Sequence, residues 1–295
     1  MPIFPSGEGE KATKLMSRQQ GEGQTALVTG ASSGIGLELA RQFAADGYDL
    51  VLVARSADAL ARLASEITRD FHVKATPIAF DLGRPNAGRE LAHVLGQRAL
   101  AIDVLVNNAG FGATGPFAEG STDTQAGMVD VNVRALVELT HELWPRILGN
   151  RRGGVLNVAS TAAFQPGPFM AVYCASKAFV LSFTEALWEE ARGTGVHVTC
   201  LCPGYTESGF HARAGTDKVR LAHGQAMSSA RVAAEGYRAF RANRRVRITG
   251  VVNAFMARSA AITPHALVLR IARFLLTGAS AVSPSPAAGS AKRTE

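Results

Sequence analysis

From Gln24 onward the chain repeats one pattern, in which a short apolar run is followed by a turn and a segment with helical periodicity. The first unit is TALVTG, residues 25–30, followed by a segment in which Ile35, Leu39 and Phe43 recur at helical spacing. Five further apolar runs follow: YDLVLVA, VKATPIAF, IDVLVNN, GGVLNVAS and GVHVTCLCPG. Continuous apolar runs are typical of strands buried on both faces, so the pattern predicts a doubly wound parallel sheet between two layers of helices.

These units belong to a single predicted domain, residues 24–282, because no linker interrupts the pattern. A hydrophobic content of 47% over 295 residues is sufficient for a large core. Residues 1–23 and 283–295 are polar or rich in small residues, and we expect a mobile N-terminal extension and a flexible tail there. No run of about 18 apolar residues is present, so a membrane-spanning helix is not expected.

Three cysteines, Cys174, Cys200 and Cys202, are too few and too irregularly spaced for a disulfide framework or a metal site. Cys200 and Cys202 lie in one apparent strand, and we expect their side chains to point to opposite faces. The N-terminus lacks the apolar segment of a secretion signal. We therefore expect a reduced, cytoplasmic protein without a metal.

Positive charge is concentrated near the C-terminal end. The formal net charge is +7, and five of the ten residues in 238–247 are arginines. Such a run is either a solvated face or a contact surface for an anionic partner, and both interpretations stay open. Nucleic-acid binding is not favoured, because it calls for interleaved stacking aromatics, and only Tyr237 and Phe240 are nearby.

Glycines mark the first strand-to-helix turn, TGASSGIG, at Gly30, Gly34 and Gly36. Gly30 permits a tight turn, Gly34 lets the backbone approach a phosphate, and Gly36 allows close packing of the helix. The N-terminus of that helix provides free N–H groups and the positive end of the helix dipole. Because the turn opens a series of strand–helix units, it predicts a dinucleotide site. It is not a P-loop, since no Lys-Ser or Lys-Thr follows the last glycine.

A tyrosine and a lysine, Tyr173 and Lys177, lie one helical turn apart in FMAVYCASKAFVLSF, residues 169–183. One interpretation is a helix whose tyrosine and lysine reach water from the edge of an apolar face. The other is a catalytic pair, in which the cation lowers the tyrosine pKa by roughly 1–3 units. Such a tyrosine can exchange a proton with a carbonyl or alcohol oxygen.

Five separated motifs decide between these interpretations: TGASSGIG, NNAG at 107–110, Ser160 after a strand, YCASK at 173–177 and PG at 203–204. On these motifs the chain resembles the short-chain dehydrogenases/reductases from about Gln24 to beyond Ser208. The resemblance implies a single-domain Rossmann-like α/β fold, with a doubly wound parallel sheet and helices on both faces. The stretches GFGATGPFAE and PGYTESGF are similar to the branch that includes keto-acyl and hydroxysteroid reductases.

Carried over by position, the resemblance implies a catalytic tetrad of Asn132, Ser160, Tyr173 and Lys177. Tyr173 would be the general acid/base with Lys177 as its partner, while Ser160 would hold the substrate oxygen. Asn132 would act through a water near Lys177. The candidate cofactor-binding positions, from the glycine turn, the strand ends and the resemblance, are Gly30, Ser32, Ser33, Gly34, Ile35, Gly36, Arg55, Asp81, Leu82, Asn108, Ala109, Gly110, Tyr173, Lys177, Pro203, Gly204, Thr206 and Ser208.

The end of the second strand predicts the phosphate state of the cofactor. Arg55 occupies the place where NAD-preferring relatives have an acidic residue for the ribose hydroxyls. A planar guanidinium suits a 2′-phosphate, so NADP(H) is the expected cofactor. The expected activity is the interconversion of a carbonyl and an alcohol on a small-molecule ketone, aldehyde or 3-oxoacyl substrate. The alternative is a non-catalytic NADP(H)-binding scaffold or redox sensor on the same fold.

Two further expectations concern surfaces. Relatives commonly associate through the helices that correspond to about 122–149 and 170–192, which predicts a homodimer or homotetramer. Residues 206–245 are expected to form a substrate lid over the site. Four apolar residues on the two long helices exceed what one core-facing stripe demands: Leu136, Leu143, Phe179 and Phe183.

The last helical pattern, HALVLRIARFLL, has an apolar stripe that we expect to face the domain and close it. Peripheral attachment to a membrane is the less favoured alternative for the same stripe. The stripe consists of Leu267, Val268, Ile271, Phe274 and Leu275.

Overall fold

A seven-stranded parallel sheet forms the centre of the protein. The computed structural model describes residues 20–207, 214–215, 226–260 and 262–277. In chain order the strands are β1 (Thr25–Thr29), β2 (Asp49–Ala54), β3 (Ala75–Ala79), β4 (Val104–Asn107), β5 (Gly154–Val158), β6 (His197–Cys202), β7 (Thr206–Glu207), β8 (Met227–Ser228) and β9 (Val246–Ile248). Ser208, most of both terminal segments and the middle of the expected lid lie outside the described residues.

The order of the strands creates a crevice at one edge of the sheet. The order is β3-β2-β1-β4-β5-β6-β9, and every neighbouring pair is parallel. The chain moves outward from β1 to β3 and then crosses back to β4. Helices leaving β1 and β4 therefore diverge to opposite faces, which opens a crevice at the carboxyl ends of these two strands.

Helices cover both faces of the sheet. In chain order they are α1 (Gly34–Ala45), α2 (Ala57–Phe71), α3 (Ala87–Gln97), α4 (Thr122–Val129), α5 (Ala135–Asn150), α6 (Ala171–Glu190), α7 (Ser229–Arg241), α8 (Val251–Ala260) and α9 (His265–Leu276). On one face, α1, α2 and α7 bury Phe43, Leu60 and Phe240 against the sheet. On the other, α3, α5 and α6 bury side chains such as Leu91 and Leu139. The predicted α/β fold is confirmed, and all six predicted apolar runs are strands, β1 to β6.

The second half of the expected lid is a helix of the core. Within α7, Ala233, Tyr237 and Phe240 recur at helical spacing and are buried in the cluster that contains Phe43. The Tyr237 hydroxyl also hydrogen-bonds to the Asp46 carboxylate at the end of α1. The prediction of a lid as far as residue 245 is therefore wrong for 229–241, because this segment carries a full apolar face for the sheet.

Most of the arginine cluster has partners within the chain. Strand β9 runs through the cluster and pairs with β6. β9 was not predicted from the sequence, because it has only three residues. These ion pairs favour a structural, solvated face over a reserved surface for an anionic partner. The pairs are Arg241 with Asp46, Arg245 with Glu185 at 3.1 Å and Arg247 with Glu235 at 2.8 Å.

Cys200 and Cys202 share one face of β6, and the expectation of opposite faces was wrong. Their sulfur atoms lie 3.7 Å apart, because side chains two residues apart in a strand point the same way. Both are buried free thiols, as is Cys174. Within the described ranges, no group of His, Cys, Asp and Glu side chains could hold a metal ion.

The apolar side chains predicted to mediate assembly divide into two kinds. Leu136 and Leu143 are buried within the chain itself, so they leave no surplus apolar surface. Phe179 is 40% exposed and stacks on Phe183 with the ring centroids 5.8 Å apart. The homo-oligomer stays a prediction, and the Phe179–Phe183 pair is the part of it that retains an accessible surface.

Only part of the apolar stripe predicted on α9 faces the domain, and three of its five residues are exposed to solvent. Val268 is buried with Ala272, one turn further along. Leu267, Ile271 and Phe274, in contrast, are 48%, 49% and 60% exposed. The contact of α9 with the domain is therefore narrow, and none of the described residues covers its wider apolar side. Among the described helices none is long and apolar enough to cross a membrane.

Candidate active site

The turn between β1 and α1 forms the floor of the crevice, and steric constraints require glycine at several of its positions. Gly30 has φ 66°, and a Cβ there would lie 2.8 Å from the Asn108 side-chain nitrogen. A Cβ on Gly36 would lie 2.4 Å from the Gly30 carbonyl oxygen. Gly34 opens α1 with φ 58°. Any larger residue would displace backbone, so the chain approaches itself as closely here as a phosphate-binding turn requires.

Thr29 and Asn108 fix this turn against the end of β4. The Thr29 hydroxyl accepts hydrogen bonds from the backbone N–H groups of Asn108 and Ala109, both at 3.0 Å. The Asn108 side chain donates to the carbonyl oxygens of Thr29 and Gly30 at 2.9 and 3.2 Å. Asn108 was predicted as a cofactor contact from the sequence, whereas Thr29 was not. The only signal for Thr29 was its position as the last residue of the first strand.

The entrance to the turn carries Arg55. The Ala31 N–H donates to the Val53 carbonyl oxygen at 3.2 Å, which holds the glycine turn beside the end of β2. Arg55 follows two residues later, is exposed, and forms no ion pair within the described chain. Ser32 and Ser33 lie in the same turn, and the Ser33 side chain does not cap α1. The first N–H groups of α1, around Ile35, are thus not satisfied by that hydroxyl.

The ends of β3 and β4 line the next part of the crevice. Asp81 is exposed and its carboxylate accepts from the Gly83 N–H at 2.9 Å, whereas Leu82 is buried. Asn108, Ala109 and Gly110 follow β4 directly. These positions lie along the crevice in the order in which the resemblance implies contacts to the adenine and to the middle of a dinucleotide.

Tyr173 and Ser160 meet at the carboxyl end of β5. Tyr173 lies in the first turn of α6 and is 7% exposed. The Ser160 hydroxyl hydrogen-bonds to the Tyr173 hydroxyl and also accepts from the Ala162 N–H at 3.1 Å. Burial raises the pKa of Tyr173 to about 12, and the bond to Ser160 only partly offsets this. The direction is opposite to the predicted lowering of the tyrosine pKa, because loss of water around the phenol outweighs the hydrogen bond from Ser160.

Lys177 lies one turn deeper on α6 and is 5% exposed. Its Nζ donates to the Val158 carbonyl oxygen at 3.0 Å and lies 5.9 Å from the centre of the Tyr173 ring. Burial lowers the pKa of Lys177 to about 8. The interpretation in which Tyr173 and Lys177 reach water from the helix edge is therefore excluded, since both side chains are buried.

Asn132 connects this pair to the β4 loop. It lies in a π-helical turn, Asp130–Arg134, between α4 and α5. Its side-chain oxygen accepts from the Phe111 N–H, and its nitrogen donates to the Phe111 carbonyl and to the Ser176 hydroxyl. A Cβ on Gly110 would lie 3.0 Å from Asn132 Oδ1 and 3.4 Å from Lys177 Nζ, so both groups border the same point.

Ser176 is a positioning residue that the sequence analysis missed. Its hydroxyl accepts from Asn132 Nδ2 at 3.0 Å and donates to the Tyr173 carbonyl oxygen at 2.7 Å. It thereby joins the π-turn to the first turn of α6. The residue stands within the YCASK motif, but a serine on an apolar helix carried no distinct signal.

The segment after β6 closes the far side of the site. The Pro203 carbonyl oxygen accepts from the Thr161 N–H at 2.8 Å, which ties this segment to Ser160. Gly204 has no room for a side chain, since a Cβ there would lie 2.2 Å from the Asn253 side-chain nitrogen. Thr206 is buried and its hydroxyl donates to the Gly204 carbonyl oxygen at 2.9 Å.

Apolar side chains surround Tyr173. Tyr173 packs in one cluster with Met128, Met170 and Cys174, and burial raises the pKa of the Cys174 thiol to about 11. A protonated, buried thiol acts here as a small apolar group. Partly buried side chains extend the cluster: Phe111, Ala113, Ala162, Val172 and Leu276.

The comparisons with known proteins agree with this geometry. Residues 24–219 match the model of a family described as short chain dehydrogenase. A ketoacyl reductase of Nostoc sp. is 36% identical over 183 residues, which are 62% of this chain and 63% of that protein. The chain thus spans about three fifths of the length of curated relatives that it matches, 61% and 63% in two of them.

Two solved structures with the same architecture contain different nicotinamide cofactors. A short-chain dehydrogenase from Sphingobium yanoikuyae in complex with NADPH is 31% identical with a TM-score of 0.72, covering 81% of this chain and 93% of that one. A short chain dehydrogenase/reductase from Burkholderia phymatum in complex with NAD is 26% identical with a TM-score of 0.73, over the same shares of the two chains.

Proposed function

The chain belongs to the short-chain dehydrogenase family, and on that premise we propose that it is an NADP(H)-dependent oxidoreductase that interconverts a carbonyl and an alcohol. The observation that carries the proposal is the buried convergence of Ser160, Tyr173 and Lys177 beside the glycine turn. A phenol and an amine lose hydration when they are buried, which raises the pKa of the phenol and lowers the pKa of the amine. A chain that only bound a dinucleotide would have no use for such a pair.

Tyr173 acts as the proton donor. It is protonated across the neutral range because its pKa is raised to about 12. It can therefore give its phenolic proton to a carbonyl oxygen as negative charge develops there. Ser160, hydrogen-bonded to the same hydroxyl, holds the substrate oxygen within reach of the phenol.

Lys177 stabilises what Tyr173 becomes. With a pKa of about 8, the amine is mostly protonated at pH 7. Its positive charge then lies beside the phenolate that remains after proton transfer, in surroundings where the interaction is strong. The bond to the Val158 carbonyl fixes the ammonium in place, and Asn132 with Ser176 fixes the loop opposite it.

The residues present fit a dinucleotide phosphate. The turn has no space for side chains at Gly30 and Gly36, and α1 begins there with N–H groups that Ser33 does not cap. NADP(H), when bound, supplies or accepts the hydride. Arg55, exposed beside the turn and without a carboxylate partner among the described residues, supports the 2′-phosphate form.

The apolar surroundings of Tyr173 support an apolar substrate class. Met128, Met170 and Cys174 around Tyr173 offer no charged group to a substrate. An apolar or bulky group beside the reacting carbonyl fits these walls, as in a ketone, an aldehyde or a 3-oxoacyl compound. Similarity to a ketoacyl reductase supports the last of these.

The test is NADPH oxidation by the purified protein with ketones, aldehydes and 3-oxoacyl thioesters. We expect turnover with at least one class, and faster turnover with NADPH than with NADH. The variant Arg55→Asp should weaken NADPH binding by one to two orders of magnitude, since a phosphate contact is replaced by repulsion, while NADH binding changes little. The exposed Arg62→Asp on α2 is the matched control for charge. Tight NADPH binding without turnover on any class would favour the scaffold instead.

A further inference from the structure

Exposed apolar side chains are concentrated at the C-terminal end of the described chain. Among the residues that the structure describes, twelve large apolar side chains are exposed, and nine of these lie between residues 251 and 274. Concentrations of this kind mark surfaces that contact something other than water. The nine residues are Val251, Val252, Phe255, Met256, Ile262, Leu267, Leu269, Ile271 and Phe274.

The exposed residues follow helical periodicity, so they form faces. On α8, Val251 and Phe255 are four residues apart and 89% and 73% exposed, with Val252 and Met256 beside them. On α9, Leu267 and Ile271 are also four residues apart, on a side different from the buried Val268. Residues four apart share a helix face. Both helices therefore carry an apolar face that the described protein does not cover.

The charge of this region has one sign. From residue 236 to residue 294 the sequence contains no Asp and no Glu. Arg258 on α8 and Arg270 and Arg273 on α9 are exposed. A helix with an apolar face, flanking cations and no anions is the pattern of an interfacial helix at an anionic lipid surface, where each nearby cation adds attraction.

We propose that α8 and α9 dock the protein on the surface of an anionic lipid bilayer, with their apolar faces in the interface and their arginines at the headgroups. A second copy of the chain is a poorer occupant. In a twofold contact the same face meets itself, and a face with cations and no carboxylates would then place like charges together. An anionic bilayer satisfies both the apolar area and the charge.

The docking surface adjoins the site described above. α8 packs against the turn Thr161–Phe164 that follows Ser160, and Leu276 at the end of α9 packs in the apolar cluster of Tyr173. Binding to lipid is nevertheless independent of catalysis. A protein that floats with vesicles but turns over no carbonyl would contradict the proposed function alone, and the reverse result would contradict the docking alone.

The test is flotation of the full-length protein with vesicles of phosphatidylglycerol and phosphatidylcholine, and with phosphatidylcholine alone. We expect the protein to rise with the anionic vesicles, and to do so less at high salt, because the arginine contribution is screened. The double variant Phe255→Ser/Ile271→Ser should bind these vesicles roughly tenfold more weakly or worse, since two apolar side chains no longer enter the interface. The matched control is Phe117→Ser/Val129→Ser, which changes two exposed apolar residues elsewhere.

Charge is tested in the same way. Arg258→Glu/Arg270→Glu should lose binding to anionic vesicles, whereas Arg69→Glu/Arg192→Glu, on other exposed surfaces, should keep it. Absence of flotation at low salt would overturn the proposal, as would equal loss in the matched controls. If Phe255→Ser/Ile271→Ser instead converts an oligomer to a monomer by light scattering, and the wild type does not float, the surface is a contact between copies.

Discussion

Helices α6 and α9 depart from the usual pattern of burial in opposite directions. α6 buries polar groups, among them Tyr173, Ser176 and Lys177, inside the protein. α9 exposes apolar groups, including Leu267 and Ile271, on the outside. Both arrangements cost free energy in the isolated chain, the first through lost hydration and the second through apolar area left in water.

The difference teaches where each cost is offset. On α6 the hydroxyl of Ser176 and the amine of Lys177 are hydrogen-bonded within the protein. The remaining cost of burial is seen in the raised pKa of Tyr173 and the lowered pKa of Lys177. On α9 nothing in the described protein offsets the exposure of Leu267 and Ile271. The buried polar groups of α6 thus have their partners within this chain. The apolar face of α9 would lose its contact with water only against an external surface.

The largest expected effect is the loss of the phenolic proton on α6. Tyr173→Phe should lower kcat by roughly 10²–10⁴-fold, the usual contribution of a positioned proton donor. NADPH affinity should stay within a few fold, because the ring remains. The measurement is steady-state turnover on the best carbonyl substrate, with cofactor binding by fluorescence titration.

Tyr237→Phe is the matched control for this change. It also removes a buried hydroxyl, here one bonded to the Asp46 carboxylate in the core layer on the other face of the sheet. It should lower the melting temperature and leave kcat unchanged. Wild-type kcat in Tyr173→Phe would show that the buried polar groups of α6 have a structural role only.

A smaller effect is expected from the buried amine. Holding the Lys177 pKa near 8 instead of 10.5 opposes folding by up to about 3 kcal/mol at pH 7. Lys177→Met removes that penalty but leaves the Val158 carbonyl without its donor, so we expect a net gain of about 1–2 kcal/mol with loss of activity. Urea denaturation at pH 7 measures the gain.

The pH dependence of this gain has a definite sign. Between pH 8 and 10.5 the unfolded chain binds the lysine proton and the folded chain does not, so the stability of the wild type rises with pH through this window. The advantage of Lys177→Met should therefore be full below pH 8 and shrink toward pH 10.5. An advantage that does not change with pH would mean that Lys177 is not the source of the penalty.

The sequence predicted α6 far better than it predicted α9, for a physical reason. Short motifs identified Tyr173, Lys177 and Ser160. The structure brings the Tyr173 hydroxyl to Ser160 and the Lys177 amine to 5.9 Å from the centre of the Tyr173 ring, and their catalytic roles stay a prediction. The direction of the Tyr173 pKa could not be obtained in this way, because burial depends on Met128 and Met170, which come from other elements. Helical spacing on α9 identified an apolar stripe but could not tell which side the domain covers.

The same limit applies to the segment 229–245. Its apolar periodicity was visible, but an apolar helix can cover either a sheet or a substrate. Only the tertiary structure, in which Val232 and Phe240 are buried in the cluster that contains Phe43, places α7 on the sheet. Cys200 and Cys202 are a different case, since the alternation of side chains along a strand was sufficient to predict a shared face.

The smallest effect is expected on α9, between two residues of similar size that differ in burial. Val268→Ser replaces a buried side chain, 8% exposed, and should destabilise the packing of α9 against the domain by about 1–3 kcal/mol. Ile271→Ser, at 49% exposure, should change it by less than about 0.5 kcal/mol in the absence of lipid. Because α9 contacts the domain along a narrow stripe, its opening is local, so hydrogen exchange of its amides is the appropriate measurement. Faster exchange in Val268→Ser alone would agree with an outer face that has no partner within the protein. If Ile271→Ser accelerates the hydrogen exchange of the α9 amides equally, another part of the chain already covers this face. In that case α9 does not expose an unpartnered apolar face, and the contrast with α6 does not hold.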